Sequence, residues 1–164
     1  MEKFTELTES REMFYKALDD KSAIEPAIER FGNLAKQYPA IAGRMKTYTG
    51  ALVGLKAKYA FWPQDKLSYV NDGLKLLDEG LEKMPDDLET LFIHGTACHY
   101  LPSFIGRGAQ AAADFEKIVH LLPSAYQSHD PELIEDILKF FSKEKVLSGP
   151  VNEKLLVFKQ QMKQ

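Results

Sequence analysis

The sequence has little of what several protein classes require. Its single cysteine, Cys98, cannot form an internal disulfide, so folding does not depend on an oxidising compartment. No apolar run approaches the roughly 20 residues that a membrane-spanning helix needs. The formal net charge of −3 argues against a protein that binds nucleic acid by neutralising phosphates. We therefore expect neither a membrane nor nucleic acid among its partners.

Two further absences bear on location and fold class. The stretch 1–14 is polar and charged and lacks an apolar targeting core, so we expect a cytoplasmic protein. No segment alternates apolar and polar residues long enough to indicate a strand. The 164 residues are enough for one domain with a core of its own, which we expect over 1–164.

Apolar residues at helical spacing are abundant instead. They recur three or four positions apart, which puts each series on one face of a helix. The series are Phe4, Leu7, Phe14, Leu18; Ile24, Ala27, Phe31, Leu34, Tyr38; Ile41, Met45, Tyr48, Leu52, Leu55, Tyr59, Trp62; Leu67, Val70, Leu74, Leu77, Leu81, Met84; Leu133, Ile134, Ile137, Leu138, Phe141; and Val151, Leu155, Phe158, Met162. They predict an all-α fold of about eight helices, arranged as stacked antiparallel hairpins because the connections are short.

Capping signals mark where several helices begin. Ser22 and Glu25 have the spacing of a capping box, and Pro26 falls in the first turn, where a missing N–H costs little. Asp130 followed by Pro131 is a cap and first-turn pair. A short break at 148–150 precedes the last predicted helix.

Three prolines each follow a series of apolar residues, at matching places in the sequence. Pro39, Pro85 and Pro123 end the stretches "LAKQYPA", "LEKMPDD" and "IVHLLPS", and proline cannot continue a helix without a clash. The residues that precede each proline also follow a common pattern. Before Pro123, the pattern of large, small, small and aromatic residues is given by Leu91, Gly95, Ala111 and Phe115. Ala27 and Phe31 match it before Pro39, and Gly73 and Leu77 match it more weakly before Pro85.

This pattern resembles the tetratricopeptide repeat family, whose unit is a helical hairpin that ends in a proline. The resemblance implies repeat-like units at about 1–39, 40–85 and 86–123, followed by capping helices at 124–164. The spacing departs from the family's period of about 34 residues, because the prolines are 46 and 38 residues apart. His94 and Cys98 stand where the family usually has larger apolar residues.

The stretch 101–123 contains two glycines around an arginine, which suggests either a phosphate cradle or a bend. A phosphate cradle requires a preceding strand and a lysine with Ser or Thr after the last glycine, and this stretch has neither. We expect Gly106 and Gly108 to form the bend inside the third hairpin, with a helix starting near Ala109. Arg107 at that helix N-terminus could hold an anion.

His94, Cys98 and His99 form one cluster with reactive chemistry. His94 and Cys98 share a helix face and could supply two ligands to a metal, but a closed site needs four. A Cys–His nucleophile pair lacks a third orienting group. The alternative, which we favour, places His94 and Cys98 at interior contacts, so we expect no catalytic residue, no metal and no cofactor.

Two features of the second hairpin have both a structural and a functional interpretation. The aromatic residues of the stretch 58–63 are core packing or the rim of a binding groove. We favour core packing for Trp62, because it continues the series of apolar residues that begins at Ile41. Gly50 and Gly54 each cost up to about 1 kcal/mol against alanine, which indicates close approach of either another helix or a ligand.

The resemblance implies a concave surface lined by the first helices of the units. We therefore expect a non-enzymatic scaffold that binds a peptide or partner helix, although without the paired lysine and asparagine set that clamps a terminal carboxylate. An alternative is a structural homo-oligomer formed through the last helix, where 155–158 are all apolar. A third, an enzyme or metal protein, depends on His94, Cys98 and His99. The predicted groove residues are Lys46, Thr47, Gly50, Val53, Phe92, Thr96, His99 and Tyr100.

Overall fold

Eight α-helices make up residues 2–164, as the apolar periodicity predicts. The computed structural model describes the backbone of residues 2–164 and the side chains from Thr5 onward, so Phe4 of the first stripe lies outside the described side chains. No strand occurs within 2–164. The helices are α1 Glu2–Asp19, α2 Ile24–Gln37, α3 Ala42–Leu55, α4 Pro63–Lys83, α5 Leu88–Tyr100, α6 Gly108–Ala125, α7 Pro131–Glu144 and α8 Gly149–Met162.

The chain divides into two compact units. Unit 1 contains α1–α4 and ends at Pro85, and unit 2 contains α5–α8 and begins at Asp86. The boundary coincides with the end of the second predicted repeat-like unit. Each unit has a set of buried apolar residues of its own.

Unit 1 is built of antiparallel neighbours around an aromatic centre. The ring of Tyr48 on α3 stacks on Phe31 of α2 at 4.4 Å and meets Phe14 of α1 edge-on at 5.1 Å. The hydroxyl of Tyr38, at the end of α2, donates to Glu6 near the start of α1 at 2.7 Å. Aromatic pairs of this geometry add stabilisation beyond their buried area, about 0.5–1.5 kcal/mol each.

Unit 2 packs α5 against α6 and places α8 on α6. Gly95 is the small residue at the α5–α6 crossing, because a Cβ there would lie 2.8 Å from the ring of Phe115. Phe140 and Phe141 of α7 both contact Phe115, at 5.2 and 5.7 Å. The last predicted hairpin therefore differs from the others, since α8 packs mainly on α6 rather than on α7.

The third helix is shorter than the series of apolar residues over 41–62 that predicts it. α3 ends at Leu55, a 3-10 turn follows at Lys56–Tyr59, and Trp62 is extended at φ −86° and ψ 137°. The chain is already extended at Ala60, with φ −74° and ψ 139°, and Pro63, the first residue of α4, keeps Trp62 out of the helical region as well. Trp62 therefore leaves the core stripe and is 57% exposed, which corrects the expectation that it packs inside.

Two local signals also differ from their predicted roles. Pro123 lies inside the last turn of α6, which continues to Ala125, because only one backbone hydrogen bond is lost there. The capping box at Ser22 and Glu25 does not form. Asp20 accepts from the backbone N–H of Ser22 at 2.9 Å instead, which caps a 3-10 turn before α2. The predicted cap at Asp130 is confirmed, since its side chain accepts from Glu132 N at 3.0 Å.

Candidate functional site

The eight predicted groove residues are divided between the two units. Lys46, Thr47, Gly50 and Val53 lie on α3 in unit 1, and Phe92, Thr96, His99 and Tyr100 lie on α5 in unit 2. Each half is described within its own unit.

In unit 1, two of the groove positions are covered by α4. Thr47 is fully buried, and its hydroxyl donates to the carbonyl of Gly43 at 2.9 Å. Gly50 is also buried, and a Cβ there would lie 2.7 Å from the carbonyl oxygen of Gly73. This corrects the expectation for these two positions, because a residue enclosed between two helices offers no surface to a partner.

The remaining two positions of unit 1 are half-buried. Lys46 Nζ lies 2.8 Å from Oε2 of Glu79 on α4, and this hydrogen bond holds the pKa of the Glu79 carboxyl below its usual range. Val53 is partly exposed near the end of α3. Lys46 is thus already engaged within the unit, which reduces what it can offer to a ligand.

The glycines of α3 and α4 explain this enclosure. Gly43 and Gly50 face Gly80 and Gly73, so the two backbones approach without intervening side chains. Such small-residue contacts let helices pack closely. Of the two explanations for glycine in α3, helix contact accounts for Gly50. Gly54 faces the Cβ position of Gly73, since a Cβ on Gly73 would lie 2.8 Å from the Cα of Gly54.

In unit 2, the groove positions run from the core to the surface. Phe92 is 6% exposed and packs edge-on against Phe140 at 5.5 Å, so it belongs to the core. Thr96 Oγ1 donates to the carbonyl of Phe92 at 2.7 Å. His99 is half-buried, 6.0 Å from the rings of Phe115 and Phe140. Of these positions, Thr96 and His99 are half-buried and Tyr100 is exposed.

Tyr100 is an exposed aromatic side chain that is nevertheless held in place. It is 65% exposed, and its hydroxyl donates to Oε1 of Glu144 at 3.1 Å. Its ring lies edge-on to His99 at 5.0 Å and to Phe140 at 6.5 Å. Partial burial, together with the bond to Glu144, raises the pKa of the Tyr100 hydroxyl above its usual value of 10.0. The neutral ring is therefore the stable form over the physiological range.

Phe104 adds a second exposed aromatic side chain four residues further along. It lies in the 3-10 turn Ser103–Ile105 and is 83% exposed. Gly106, with φ 78°, ends this turn in the left-handed region that favours glycine, and α6 begins at Gly108. The predicted bend between α5 and α6 is confirmed, while Arg107 is engaged with Oε1 of Gln110 at 2.5 Å.

The cluster suggested by His94 and Cys98 is buried in unit 2. Both side chains are 2% exposed, as the interior interpretation predicts. His94 Nδ1 lies 2.5 Å from Oδ2 of Asp114 on α6 and 4.0 Å from the sulfur of Cys98. Because Nδ1 donates its hydrogen to the carboxylate, it is not available as a base toward the thiol. The arrangement is suited to holding α5 against α6.

A second histidine joins two further segments of unit 2. Asp87 caps α5 by accepting from Thr90 N at 2.9 Å, and its other carboxylate oxygen lies 3.2 Å from Nε2 of His129. Nδ1 of His129 lies 2.9 Å from the carbonyl oxygen of Ala125. Both ring nitrogens of His129 are therefore engaged within unit 2. The pair connects the start of α5 to the turn before α7.

The segment between α3 and α4 is the other exposed aromatic surface. Phe61 is 82% exposed and lies edge-on to Trp62 at 5.0 Å. Leu67, in the second turn of α4, is 51% exposed. A cavity of about 210 Å³ lies beside this segment and is lined in part by Tyr59 and Ala60. Of the two interpretations of the stretch 58–63, exposure favours a binding rim for Phe61 and Trp62.

In the part of the chain that the structure describes, no group of three or more His, Cys, Asp or Glu side chains is arranged to hold a metal ion. Within residues 2–164, each helix is too short or too polar to cross a membrane.

Comparison with known proteins finds no matching family model, no matching curated protein and no matching solved structure.

Sequence reasoning missed three residues that shape these surfaces. Asp114 carried a readable signal, because a charged residue between Ala111 and Phe115 on the contact face of α6 requires a buried partner. Glu144 and Phe104 carried none. Glu144 is 44 residues from Tyr100 along the chain, and the exposure of Phe104 depends on how the turn leaves α5.

Proposed function

We propose that the protein is a non-enzymatic interaction module that binds a peptide or helix of a partner protein. The resemblance to tetratricopeptide repeats supports this role, as do the antiparallel helix pairs within each unit. We further propose that it acts in the cytoplasm, a location consistent with its single, buried and unpaired cysteine.

The observation that carries the proposal is the state of Tyr100. A large aromatic ring exposed to 65% but held by Glu144 and Phe140 loses little conformational freedom when a partner covers it. Tyrosine and tryptophan dominate binding hot spots for this reason and because they bury large areas. We name the exposed side chains of Tyr100 and Phe104, together with the half-buried His99, the aromatic surface of unit 2.

The geometry around His94 supports a role without catalysis. A substrate has no access to His94 or Cys98 at 2% exposure. The ring nitrogen closest to the thiol also donates to Asp114. Catalytic groups need contact with the reacting atoms, and this cluster lacks the opening that such contact requires.

The proposal is tested by capture of a partner from native lysate, identification by mass spectrometry, and titration of the purified partner. We expect Tyr100→Ala and Phe104→Ala each to weaken binding by about thirtyfold or more, since hot-spot truncation costs at least about 2 kcal/mol. Tyr100→Phe keeps the ring and is expected to retain most of the affinity. Phe61→Ala removes an equally exposed aromatic side chain in unit 1 and tests that surface as the alternative binding site.

Equal binding by the wild type and by both Ala variants would show that the aromatic surface of unit 2 is not the binding site. Loss of binding in Phe61→Ala alone would place the partner on unit 1.

A second candidate function is self-assembly through α8. Leu156 and Val157 are 49% and 54% exposed, although their neighbours Leu155 and Phe158 are buried. α8 therefore presents apolar side chains on two faces, and a second copy of the chain could cover the outer one. Light scattering at high protein concentration tests this role. An oligomer that Leu156→Glu with Val157→Glu dissociates would support it, and a strict monomer would remove it.

A further inference from the structure

The cavity in unit 1 has a floor suited to an apolar side chain. Ile24, which is 2% exposed, and Ala60 form apolar parts of its lining, and Tyr59 and Tyr69 contribute aromatic rings. Its volume of about 210 Å³ is below the roughly 300–1,000 Å³ of pockets that enclose a whole small-molecule ligand. The size therefore fits one inserted side chain better than a cofactor.

The rim of this cavity is positively charged. Lys21 and Lys56 line it, and Glu25, the one carboxylate in the lining, is paired with Lys56. Lys58 lies beside it, with Nζ donating to the carbonyl of Leu18 at 3.1 Å and placed 5.5 Å from the ring centroid of Tyr59. Within the lining itself, two lysines against one glutamate leave an excess of one positive charge, on a chain whose net charge is −3.

Exposed aromatic residues continue the surface from the cavity along the chain. Phe61 and Trp62 directly follow Ala60, and their edge-to-face rings are 82% and 57% exposed. An occupant that filled only the cavity would leave these rings in water. An extended segment that also crosses them would bury more apolar area, which favours binding by about 25 cal/mol per Å² before the costs of association.

We propose that this surface, which we name the lysine-rimmed pocket, binds an acidic peptide segment of a partner protein. One apolar side chain of that segment enters the cavity, its neighbouring residues cover Phe61 and Trp62, and its carboxylates meet Lys21 and Lys58. Opposite charge across the interface determines the choice of partner and its rate of arrival. The site lies in unit 1 and is separate from the aromatic surface of unit 2, so either proposal can fail without the other.

Trp62 provides the readout, because it is the single tryptophan of the chain. The probe is a short synthetic peptide of Asp and Glu residues around one central leucine, titrated into the full-length protein while Trp62 fluorescence is recorded. Two comparison peptides keep the leucine but replace the acidic residues by Ser or by Lys. We expect saturable binding of the acidic peptide, weaker binding of the Ser peptide and none of the Lys peptide. Added salt should weaken the acidic peptide's binding.

Two variants separate charge from shape. Lys21→Glu reverses an exposed charge on the rim and should weaken the acidic peptide by about tenfold. Ala60→Leu adds side-chain volume in the cavity and should weaken all leucine peptides, with the fold checked by circular dichroism. Lys154→Glu, which makes the same charge change on an exposed residue of α8, is the matched control and should bind as the wild type does.

Four results would overturn the proposal. The first is equal binding of the acidic and Lys peptides, and the second is unchanged binding in a folded Ala60→Leu variant. The third is a Trp62 response to anionic lipid vesicles but to none of the peptides, which would assign the surface to a membrane. The fourth is a Trp62 signal that changes with protein concentration alone, which would assign it to a second copy of the chain.

Discussion

Gly50 and Gly73 bring the backbones of α3 and α4 into direct contact, since a Cβ on either residue would lie 2.7 Å from the carbonyl oxygen of the other. Real Cβ atoms do not approach a carbonyl oxygen this closely, and both neighbours are backbone, which cannot move aside as a side chain can. The pairing of these two helices thus depends on the absence of two side chains.

The first prediction concerns this contact. Gly50→Ala should lower the free energy of unfolding, because overpacking costs about 1–3 kcal/mol and outweighs the roughly 1 kcal/mol that alanine gains in a helix. Gly32→Ala, in the interior of α2, places its Cβ with nothing within 4 Å and should be neutral or stabilising. Urea unfolding followed by circular dichroism measures both. Equal stability of the two variants would contradict the close contact.

The second prediction concerns the buried pair of His94 and Asp114. His94→Leu should lower the free energy of unfolding by about 3–5 kcal/mol, because it leaves a buried carboxylate without its partner. The double variant with Asp114→Leu should be more stable than the sum of the single variants predicts, since no buried charge remains. Additive losses in this cycle would show that the two side chains do not act as a pair.

The third prediction concerns the two roles of Asp87. Asp87→Ala removes both the cap of α5 and the contact with His129, so its cost should exceed the roughly 1 kcal/mol of a cap alone. Asp87→Ser retains a capping oxygen but is too short to reach His129, and its stability should fall between those of Asp87→Ala and the wild type. Thermal or urea unfolding measures the series. If Asp87→Ser matches the wild type, the contact with His129 contributes no stability.

The fourth prediction concerns the Tyr100 hydroxyl, whose pKa is raised by partial burial and by Glu144. Glu144→Gln removes the negative charge and should lower this pKa toward 10.0. The stability that the raised pKa reflects is fully present below the unfolded value of 10.0 and is lost as pH rises through the folded value. Ultraviolet absorbance across alkaline pH, with Tyr100→Phe subtracted, isolates this tyrosine. An unchanged midpoint in Glu144→Gln would contradict the role of Glu144.

The helices and their ends were largely predictable because the signals are local. Stripes at helical spacing give eight helices, and Asp130 with Pro131 begins α7 as expected. Pro123 was harder, because a proline in the last turn removes only one hydrogen bond, so the helix continues past it. Trp62 has the helical spacing of the apolar series before it, yet the chain leaves the helical conformation by Ala60 and Pro63 keeps Trp62 extended.

The candidate surfaces were only partly predictable. The repeat pattern placed Tyr100 in the predicted groove, and the structure leaves its side chain exposed. The repeat pattern also placed Thr47 and Gly50 in the groove. In the structure α4 covers both residues, because glycines on α3 and α4 allow closer approach than the pattern alone indicates. Phe61 and Trp62 were identified as either core or rim, and their exposure depends on where α3 stops.

By itself, the sequence determined that the chain is helical, how many helices it forms and where most of them break. Those properties follow from side-chain spacing and from proline, which act within one or two turns. Only the tertiary structure decided that His94 meets Asp114, that α4 encloses Gly50 and that Glu144 holds Tyr100. These partners are 20 to 44 residues apart, and contacts over such separations are fixed by the packing of whole helices rather than by any local pattern.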